Sequence, residues 1–238
     1  MAGKWIERAV FAAAAATTVV GGVTGRETLQ RVAKPLIAPS LGVMVWRRRR
    51  GTEPVDTALL ATGLAAATVG DVFMIDPDDD ARIVRGAAAF AVMQACYSAL
   101  LVRHGAKPTT AAVVPRAAGW AVAATGLWAR SRPVAAPLSA YGLTLGTTGA
   151  LSGDPALTPG TNVVAGVPVP GDDPRSRLGA GGLLFTLSDG LIVVRRLVLN
   201  GRRRRAVAEG AVLATYSAAQ LLLVEGMLAL GRSRALRD

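Results

Sequence analysis

The sequence has little of what builds disulfide-stabilised, metal-binding or nucleic-acid-binding proteins. Cys96 is the one cysteine and has no disulfide partner, and the one histidine, His104, is expected to be solvated in a loop. Aromatic residues form 5% of the chain, and charged residues 18%, against roughly 25% charged residues in an average soluble domain. No metal-ligand set, Gly-Xaa-Ser-Xaa-Gly elbow or phosphate loop occurs, so neither a cofactor nor a metal is expected.

Apolar residues are abundant instead. They form 51% of the 238 residues, and the mean hydropathy is +0.38. These values exclude a disordered chain and argue against a water-soluble globule. The net charge of +11 would indicate a nucleic-acid partner in a soluble protein. Here, however, the cations cluster in short breaks between apolar runs, as in Arg47–Arg50 and Arg202–Arg205, which is typical of membrane-flanking loops and not of nucleic-acid binding.

The apolar residues fall into segments of membrane-spanning length. A spanning helix needs about 20 apolar residues, and we identify eight candidates: 5–24, 32–46, 56–75, 82–102, 109–128, 134–151, 178–199 and 207–230. The sequence therefore predicts an all-α, polytopic membrane helical bundle of about eight transmembrane helices, with residues 1–238 as a single integral-membrane domain. Its Ala- and Arg-rich composition is typical of a GC-rich bacterial genome, so a bacterial cell membrane is expected. Basic residues divide equally between the two sides and give no orientation.

Three segments need separate interpretation. The first resembles a signal peptide, although the seven apolar segments after it favour a retained helix. The Gly- and Pro-rich residues 152–177 predict an irregular or hairpin-like loop outside the bilayer. The acidic break Asp76–Asp80 predicts a turn and an N-cap for the fourth helix.

Three carboxylates lie inside apolar segments: Asp71, Asp189 and Glu225. A charge at the bilayer centre costs roughly 2.5–3.5 kcal/mol on insertion scales, so such residues are functional candidates by default. Asp71 and Asp189 occupy odd-numbered, parallel helices and fall in the same half of the membrane. Glu225 lies near the end of the last helix, where a structural hydrogen bond or ion pair is the better interpretation.

Other polar residues converge on the half of the membrane that holds the two aspartates. We predict a polar pocket in which Asp71 and Asp189 are catalytic and their carboxyl groups lie within roughly 10 Å. Arg85 is a further candidate cation for a lipid phosphate. The predicted substrate-binding residues are Lys34, Gln94, Tyr97, Ser188, Arg196, Tyr216 and Gln220.

Five short motifs, taken in order, resemble the YhhN family of eight-span membrane proteins, which includes lysoplasmalogenases. They are Lys34-Pro35-Leu36, Gly70–Met74, Gly86 with Phe90 and Tyr97, Leu187-Ser188-Asp189, and Tyr216 with Ala219-Gln220. The resemblance extends over residues 30–230. The chain departs from the family pattern at Gln94, where histidine is common, and in the long loop 152–177, so helix four is expected to orient the substrate and not to titrate.

The resemblance implies hydrolysis of the vinyl ether of a lysoplasmalogen, or of a related alkenyl or ether lysolipid, to a fatty aldehyde and a glycerophospho-base. Enol-ether cleavage needs one protonated carboxylic acid and one carboxylate that activates water, and paired buried carboxylates can divide these roles. The expected partners are a lysophospholipid substrate and membrane lipids. A transporter that uses Asp71 and Asp189 as a proton or substrate site is the main alternative, and a non-catalytic scaffold is the third.

Overall fold

The computed structural model describes the backbone of residues 2–235 and the side chains of residues 6–232. This part of the chain is all-helical except for one short hairpin. The helices are α1 (Ala2–Thr24), α2 (Glu27–Ala33), α3 (Ile37–Arg48), α4 (Pro54–Phe73), α5 (Asp80–Arg103), α6 (Thr110–Arg130), α7 (Arg132–Ser152), α8 (Arg177–Leu197) and α9 (Arg202–Ala235), and the hairpin strands are β1 (Asn162–Val164) and β2 (Val167–Val169).

Five helices of the described chain are long and apolar enough to cross a membrane. They are α1, α4, α5, α8 and α9. These helices indicate an integral membrane protein, as predicted. Helices α6 and α7 have 21 residues each, about 31 Å at 1.5 Å per residue, which matches a hydrocarbon core of about 30 Å. A total of eight transmembrane helices remains a prediction.

The second predicted segment is interrupted in the structure. A helix was expected over 32–46, but α2 ends at Ala33, a 3₁₀ turn covers Lys34–Leu36, and α3 then begins at Ile37. Pro35 lies at the start of this turn. Proline has no backbone N–H and its ring clashes with the preceding turn, so a continuous α-helix is disfavoured here. The candidate span 32–46 is therefore not one continuous α-helix, and Lys34 lies at the break.

The helices pack unevenly. Pairs α8–α9, α4–α5 and α1–α9 have extensive interfaces, and small residues allow the close approach: a Cβ added at Gly181 would lie 2.9 Å from Leu223 of α9. Helix α6 packs mainly on α7 and only weakly on α8. Within α6 only Ala112 and Leu127 are buried. Helix α6 therefore lies at the edge of the bundle and leaves space beside α7 and α8.

Both predicted extramembrane features form regular local structure. Strands β1 and β2 pair antiparallel, with Val163 opposite Pro168. Ala165 and Gly166 between them have φ values of 50° and 81°, the left-handed pair that a tight hairpin turn requires. Asp79 caps α5, since its carboxylate accepts from the amides of Ala81 and Arg82 at 2.8 and 3.0 Å. The hairpin and the N-cap are thus confirmed.

Two ion-pair clusters join the helix ends on the side of the bundle that carries the hairpin. Glu225 accepts from Arg8 and Arg177, each at 2.5 Å. His104 lies 2.7 Å from Asp56, and its side chain is 6% exposed. The expectation of a solvated His104 was wrong, because the residue ends α5 where that helix packs against the start of α4. Both clusters tie helices together, and neither His104 nor Glu225 lines the cavity described below.

Candidate functional site

A cavity of about 740 Å³ lies between α6, α7 and α8 and the inner helices. It extends from Pro77, near the end of α4, to Val163 and Pro168 of the hairpin, and its wall is mostly apolar. Asp71 and Asp189 both line it. The two carboxylates that the sequence placed in the same half of the membrane therefore face one cavity.

Asp71 is held near the carboxyl end of α4. Its side chain is fully buried. The Tyr216 hydroxyl of α9 donates to Asp71 Oδ2 at 2.9 Å. The other carboxylate oxygen, Oδ1, is buried and has no hydrogen-bond partner among the described residues. A buried carboxylate oxygen without a donor is unfavourable, so Oδ1 is an acceptor left unsatisfied by the described residues.

The Tyr216 ring is fixed by an aromatic cluster. Phe90 of α5 and Phe185 of α8 each pack edge-to-face on Tyr216 with ring centroids 5.7 Å apart. Gly70 lies opposite Phe90, where a Cβ would approach the ring to 2.8 Å, so glycine is needed for this packing. The cluster thus fixes the direction in which Tyr216 presents its hydroxyl to Asp71.

A chain of hydrogen bonds also orients the Tyr216 hydroxyl, from the side opposite Asp71. Tyr97 of α5 donates to Gln220 Oε1 at 3.0 Å. Gln220 Nε2 donates to the Tyr216 oxygen at 3.3 Å, and Tyr216 then donates to Asp71. All four side chains are buried. Because every donor in this chain points toward Asp71, the network is polarised in that direction.

Asp189 has a tyrosine partner of its own. The Tyr141 hydroxyl of α7 donates to Asp189 Oδ2 at 2.5 Å. Both residues are partly buried and both line the cavity. Tyr141 is a site residue that sequence reasoning missed. The chain has only 3 tyrosines, and each of them forms a hydrogen bond in this site. The rarity of tyrosine in these apolar helices could therefore have identified Tyr141 as a candidate site residue.

Lys34 and Ser188 also line the cavity, as expected. Lys34 is 5% exposed, and its Nζ donates to the carbonyl oxygen of Met74 at 2.7 Å. Met74 follows Asp71 by three residues, about one helical turn, so the ammonium group lies at the Asp71 end of the cavity. Ser188 precedes Asp189, is 1% exposed, and donates to the carbonyl oxygen of Val212 at 3.0 Å.

Five predicted substrate contacts do not reach the cavity wall. Tyr97 and Gln220 lie behind Tyr216, and Gln94 is buried in the α5–α7 interface, where its backbone carbonyl accepts from the Thr148 hydroxyl at 3.1 Å. Arg196 donates to Ser131 at 2.8 Å and forms an ion pair with Asp80. These contacts hold Arg196 on a face of α8 that is turned away from the cavity, although its neighbour Arg195 lines the cavity. Arg85 is exposed and points to the Phe73 ring, 6.0 Å from its centroid.

Charged residues close the Asp71 end of the cavity. Arg195 of α8 lies 3.0 Å from Asp78 and 3.2 Å from Glu209 of α9, and Arg205 lies 2.5 Å from Asp78. Glu209 lines the cavity and is 8% exposed, so the apolar segment 207–230 holds a cavity carboxylate that sequence reasoning missed. Partial burial acts to raise the pKa of Asp78, but the hydrogen bond and charge of Arg195 and the charges of Arg205 and Arg196 outweigh it and lower the pKa.

Comparison with known families gives a match over residues 29–227. The chain belongs to the YhhN family. The matched region begins before Lys34 and ends after Gln220, so it contains both aspartates of this YhhN protein and both tyrosines that bond to them. No curated protein and no solved structure matches the chain.

The chemistry open to this YhhN site is proton transfer. Two carboxyl groups face one cavity, and each accepts a hydrogen bond from a tyrosine on a different helix. In apolar surroundings, two carboxyl groups can hold different protonation states, which provides one acid and one base. The apolar wall suits a hydrocarbon chain.

Proposed function

We propose that this YhhN protein is an intramembrane hydrolase that cleaves the vinyl ether bond of lysoplasmalogens or of a related alkenyl or ether lysolipid. The products are a fatty aldehyde and a glycerophospho-base. The observation that carries the proposal is the shared cavity: Asp71 and Asp189 face the same apolar-walled space of about 740 Å³. Such a space accepts a single hydrocarbon chain and brings it to two carboxyl groups.

The reaction begins with proton transfer to carbon. A carboxylic acid protonates the β-carbon of the vinyl ether, and the ether oxygen donates electron density to give an oxocarbenium ion. The second carboxylate takes a proton from water, whose oxygen bonds to the carbon next to the ether oxygen. The hemiacetal then gives its hydroxyl proton to the first carboxylate, and the bond between its carbon and the ether oxygen breaks. The second carboxyl group returns its proton to that oxygen, which yields the aldehyde and the free glycerol hydroxyl. The positive intermediate is stabilised by the nearby carboxylate, by analogy with glycosidases.

We assign the two roles from the surroundings of each aspartate. Lys34 lies about one turn from Asp71 and supplies a positive charge there, and Asp71 Oδ1 has no hydrogen-bond donor among the described residues. These features suit the base. Asp189 has the neutral Tyr141 hydroxyl as its hydrogen-bond donor and no ion pair among the described residues. This environment suits the acid.

The position of the site supports a lipid substrate drawn from the membrane. Helix α6 is exposed along most of its length and forms one wall of the cavity. We propose that α6, α7 and the broken α2–α3 segment complete an eight-span bundle in a bacterial cell membrane. A lysolipid then enters beside α6, with the surrounding lipids as the other partner of the protein.

The direct test is turnover by the purified protein in detergent. A panel of alkenyl, alkyl and acyl lysophospholipids is incubated with the parent protein, and the products are read by mass spectrometry. The proposal predicts aldehyde release from alkenyl lipids and no cleavage of the matched acyl esters. The absence of aldehyde from every alkenyl lipid would overturn it.

A transporter is the second candidate, and one observation favours it. The cavity wall includes residues at both ends of the bundle, from Pro77 to Val163, and paired intramembrane aspartates also serve as proton relays. Proteoliposomes loaded with a pH-sensitive dye separate the two functions. Proton flux that is lost in Asp71→Asn and Asp189→Asn, without aldehyde release by the parent, would favour transport.

A further inference from the structure

Three cations line the cavity, and they differ in their partners. Arg195 forms ion pairs with Asp78 and Glu209. Lys34 donates to a carbonyl oxygen close to Asp71. Within the described part of the chain, Arg116 of α6 makes one hydrogen bond, from Nη1 to the carbonyl of Ala112 in its own helix, at 2.7 Å. Its Nε is buried and has no acceptor among the described residues, and no carboxylate there lies within ion-pair distance.

Contacts around Gly149 place Arg116 relative to Asp189. A Cβ added at Gly149 of α7 would meet Arg116 Nε at 2.8 Å and Thr186 Oγ1 at 3.2 Å, so the guanidinium stem and Thr186 flank the same glycine. Thr186 precedes Asp189 by three residues on α8, which puts them on neighbouring turns of one face. Arg116 therefore lies about one helical turn from Asp189, toward the hairpin.

We propose that Arg116 binds the phosphate of a single-chain phospholipid in this cavity. The proposal rests on the proposed function for the choice of a lysolipid, and it names the anion site of that same cavity. Neither Arg196 nor Arg85, the arginines that the sequence favoured, faces the cavity.

The guanidinium charge of Arg116 has no counter-ion among the described residues. An arginine inside a membrane protein is costly unless it is paired, and a guanidinium presents several N–H donors in a planar fork that matches a phosphate. Arg116 has one of these donors satisfied by its own helix and its Nε left without an acceptor. An anion in the cavity would provide the missing acceptors. Because most of the wall is apolar, the anion that fits carries a hydrocarbon chain.

This site sets the direction of the bound lipid. With its phosphate at Arg116, the head group lies at the hairpin end of the cavity, where Val163 and Pro168 form part of the wall. The three-carbon glycerol unit then extends inward and brings the vinyl ether to Asp189, about one turn deeper. The hydrocarbon chain follows into the apolar interior between α6, α7 and α8.

Binding, and not turnover, tests the site. The probe is an alkyl-ether lysophosphocholine, which has no vinyl ether to cleave, and its affinity for the purified protein is measured in detergent. We expect Arg116→Gln to weaken binding about tenfold to a hundredfold, and Arg116→Lys to restore part of the affinity. The uncharged 1-alkylglycerol should bind the parent and Arg116→Gln equally. Arg130→Gln, on the same helix, is the matched control and should bind like the parent.

The outcomes separate this proposal from the proposed function. Equal binding of the phospholipid by the parent and Arg116→Gln, or equal loss of affinity for the uncharged lipid, would overturn the phosphate site. Inorganic phosphate that competes as well as the lipid would overturn the lipid assignment. Since the probe is not hydrolysed, Arg116-dependent binding without aldehyde release from any alkenyl lipid would support the phosphate site and contradict the hydrolase.

Discussion

The Tyr141 hydroxyl donates to Asp189 at 2.5 Å, across 48 positions of sequence. A second pair, Tyr216 and Asp71, repeats the arrangement on α9 and α4 at 2.9 Å. Each aspartate that faces the cavity therefore has a phenol oriented toward it. A phenol that donates to a carboxyl oxygen fixes the carboxyl rotamer, so each tyrosine orients the aspartate to which it bonds.

Tyr141→Phe removes the donor to Asp189 and keeps the ring. A hydrogen bond to a carboxylate contributes roughly 1.5–3 kcal/mol, so we expect kcat to fall about tenfold to a hundredfold, with a smaller change in KM. The pH dependence of kcat should also shift, because the carboxyl group loses its partner. Steady-state kinetics on an alkenyl lysolipid across pH measure both. An unchanged rate and an unchanged pH profile would show that Tyr141 is only a packing residue.

Gln220→Leu interrupts the chain that runs from Tyr97 to Asp71. The Tyr97 hydroxyl loses its acceptor in a buried position, which costs roughly 1–3 kcal/mol of folding free energy. We expect a lower thermal midpoint in detergent and a reduced kcat, because the Tyr216 hydroxyl is held less firmly. Gln30→Leu is the comparison, since Gln30 is also a buried glutamine but lies on α2, outside this chain and away from the cavity wall. Equal loss of activity in both variants would contradict a specific role for the chain.

Asp78→Asn tests the ion pairs that Asp78 forms with Arg195 and Arg205 at the Asp71 end of the cavity. The Asp78 carboxylate has a lowered pKa because Arg195 and Arg205 stabilise its charged form. Its contribution to stability is therefore present above the ordinary aspartate pKa of about 3.9 and is lost as the pH falls through the lower, folded value. We expect the parent to be more stable than Asp78→Asn at pH 7 and the difference to shrink as the pH falls below about 3.9. A difference that stays constant as the pH is lowered through the acid range would contradict the ionic origin.

Glu225→Gln separates structural from functional carboxylates. Glu225 bonds to Arg8 and Arg177 and lies away from the cavity wall. Loss of its charge leaves two arginines without a counter-ion, so thermal stability should fall. Turnover measured well below the unfolding temperature should stay within about twofold of the parent. A large loss of kcat in a folded protein would place Glu225 in the mechanism.

The hydropathy pattern and the parallel direction of the two helices were enough to predict that Asp71 and Asp189 face the same cavity. Pro35 could also have predicted the helix break at Lys34–Leu36, but a count of apolar residues over 32–46 does not detect it. Sequence spacing on a single helix predicted that Tyr216 and Gln220 share a face, and they are hydrogen-bonded. It could not show which of them reaches the cavity, because α5 fills the space beside Gln220 with Tyr97.

Contacts between helices distant in sequence were the part that could not be predicted. Tyr141 meets Asp189 only because α7 packs beside α8, and no motif links the two residues. Arg196 has the right spacing from Asp189, yet Asp80 and Ser131 hold it on another face of α8. His104 lies next to a turn in sequence, but the pairing of α4 with α5 buries it against Asp56.

The most direct test of the two-aspartate mechanism is the rate of aldehyde release by Asp71→Asn and Asp189→Asn. Asparagine keeps the shape and most of the hydrogen bonding but neither donates a proton as an acid nor carries a charge. Loss of one positioned acid or base typically lowers the rate roughly 10²–10⁴-fold. We expect such a loss in each variant, with thermal unfolding in detergent showing that both remain folded. Near-normal turnover by both variants would contradict the mechanism.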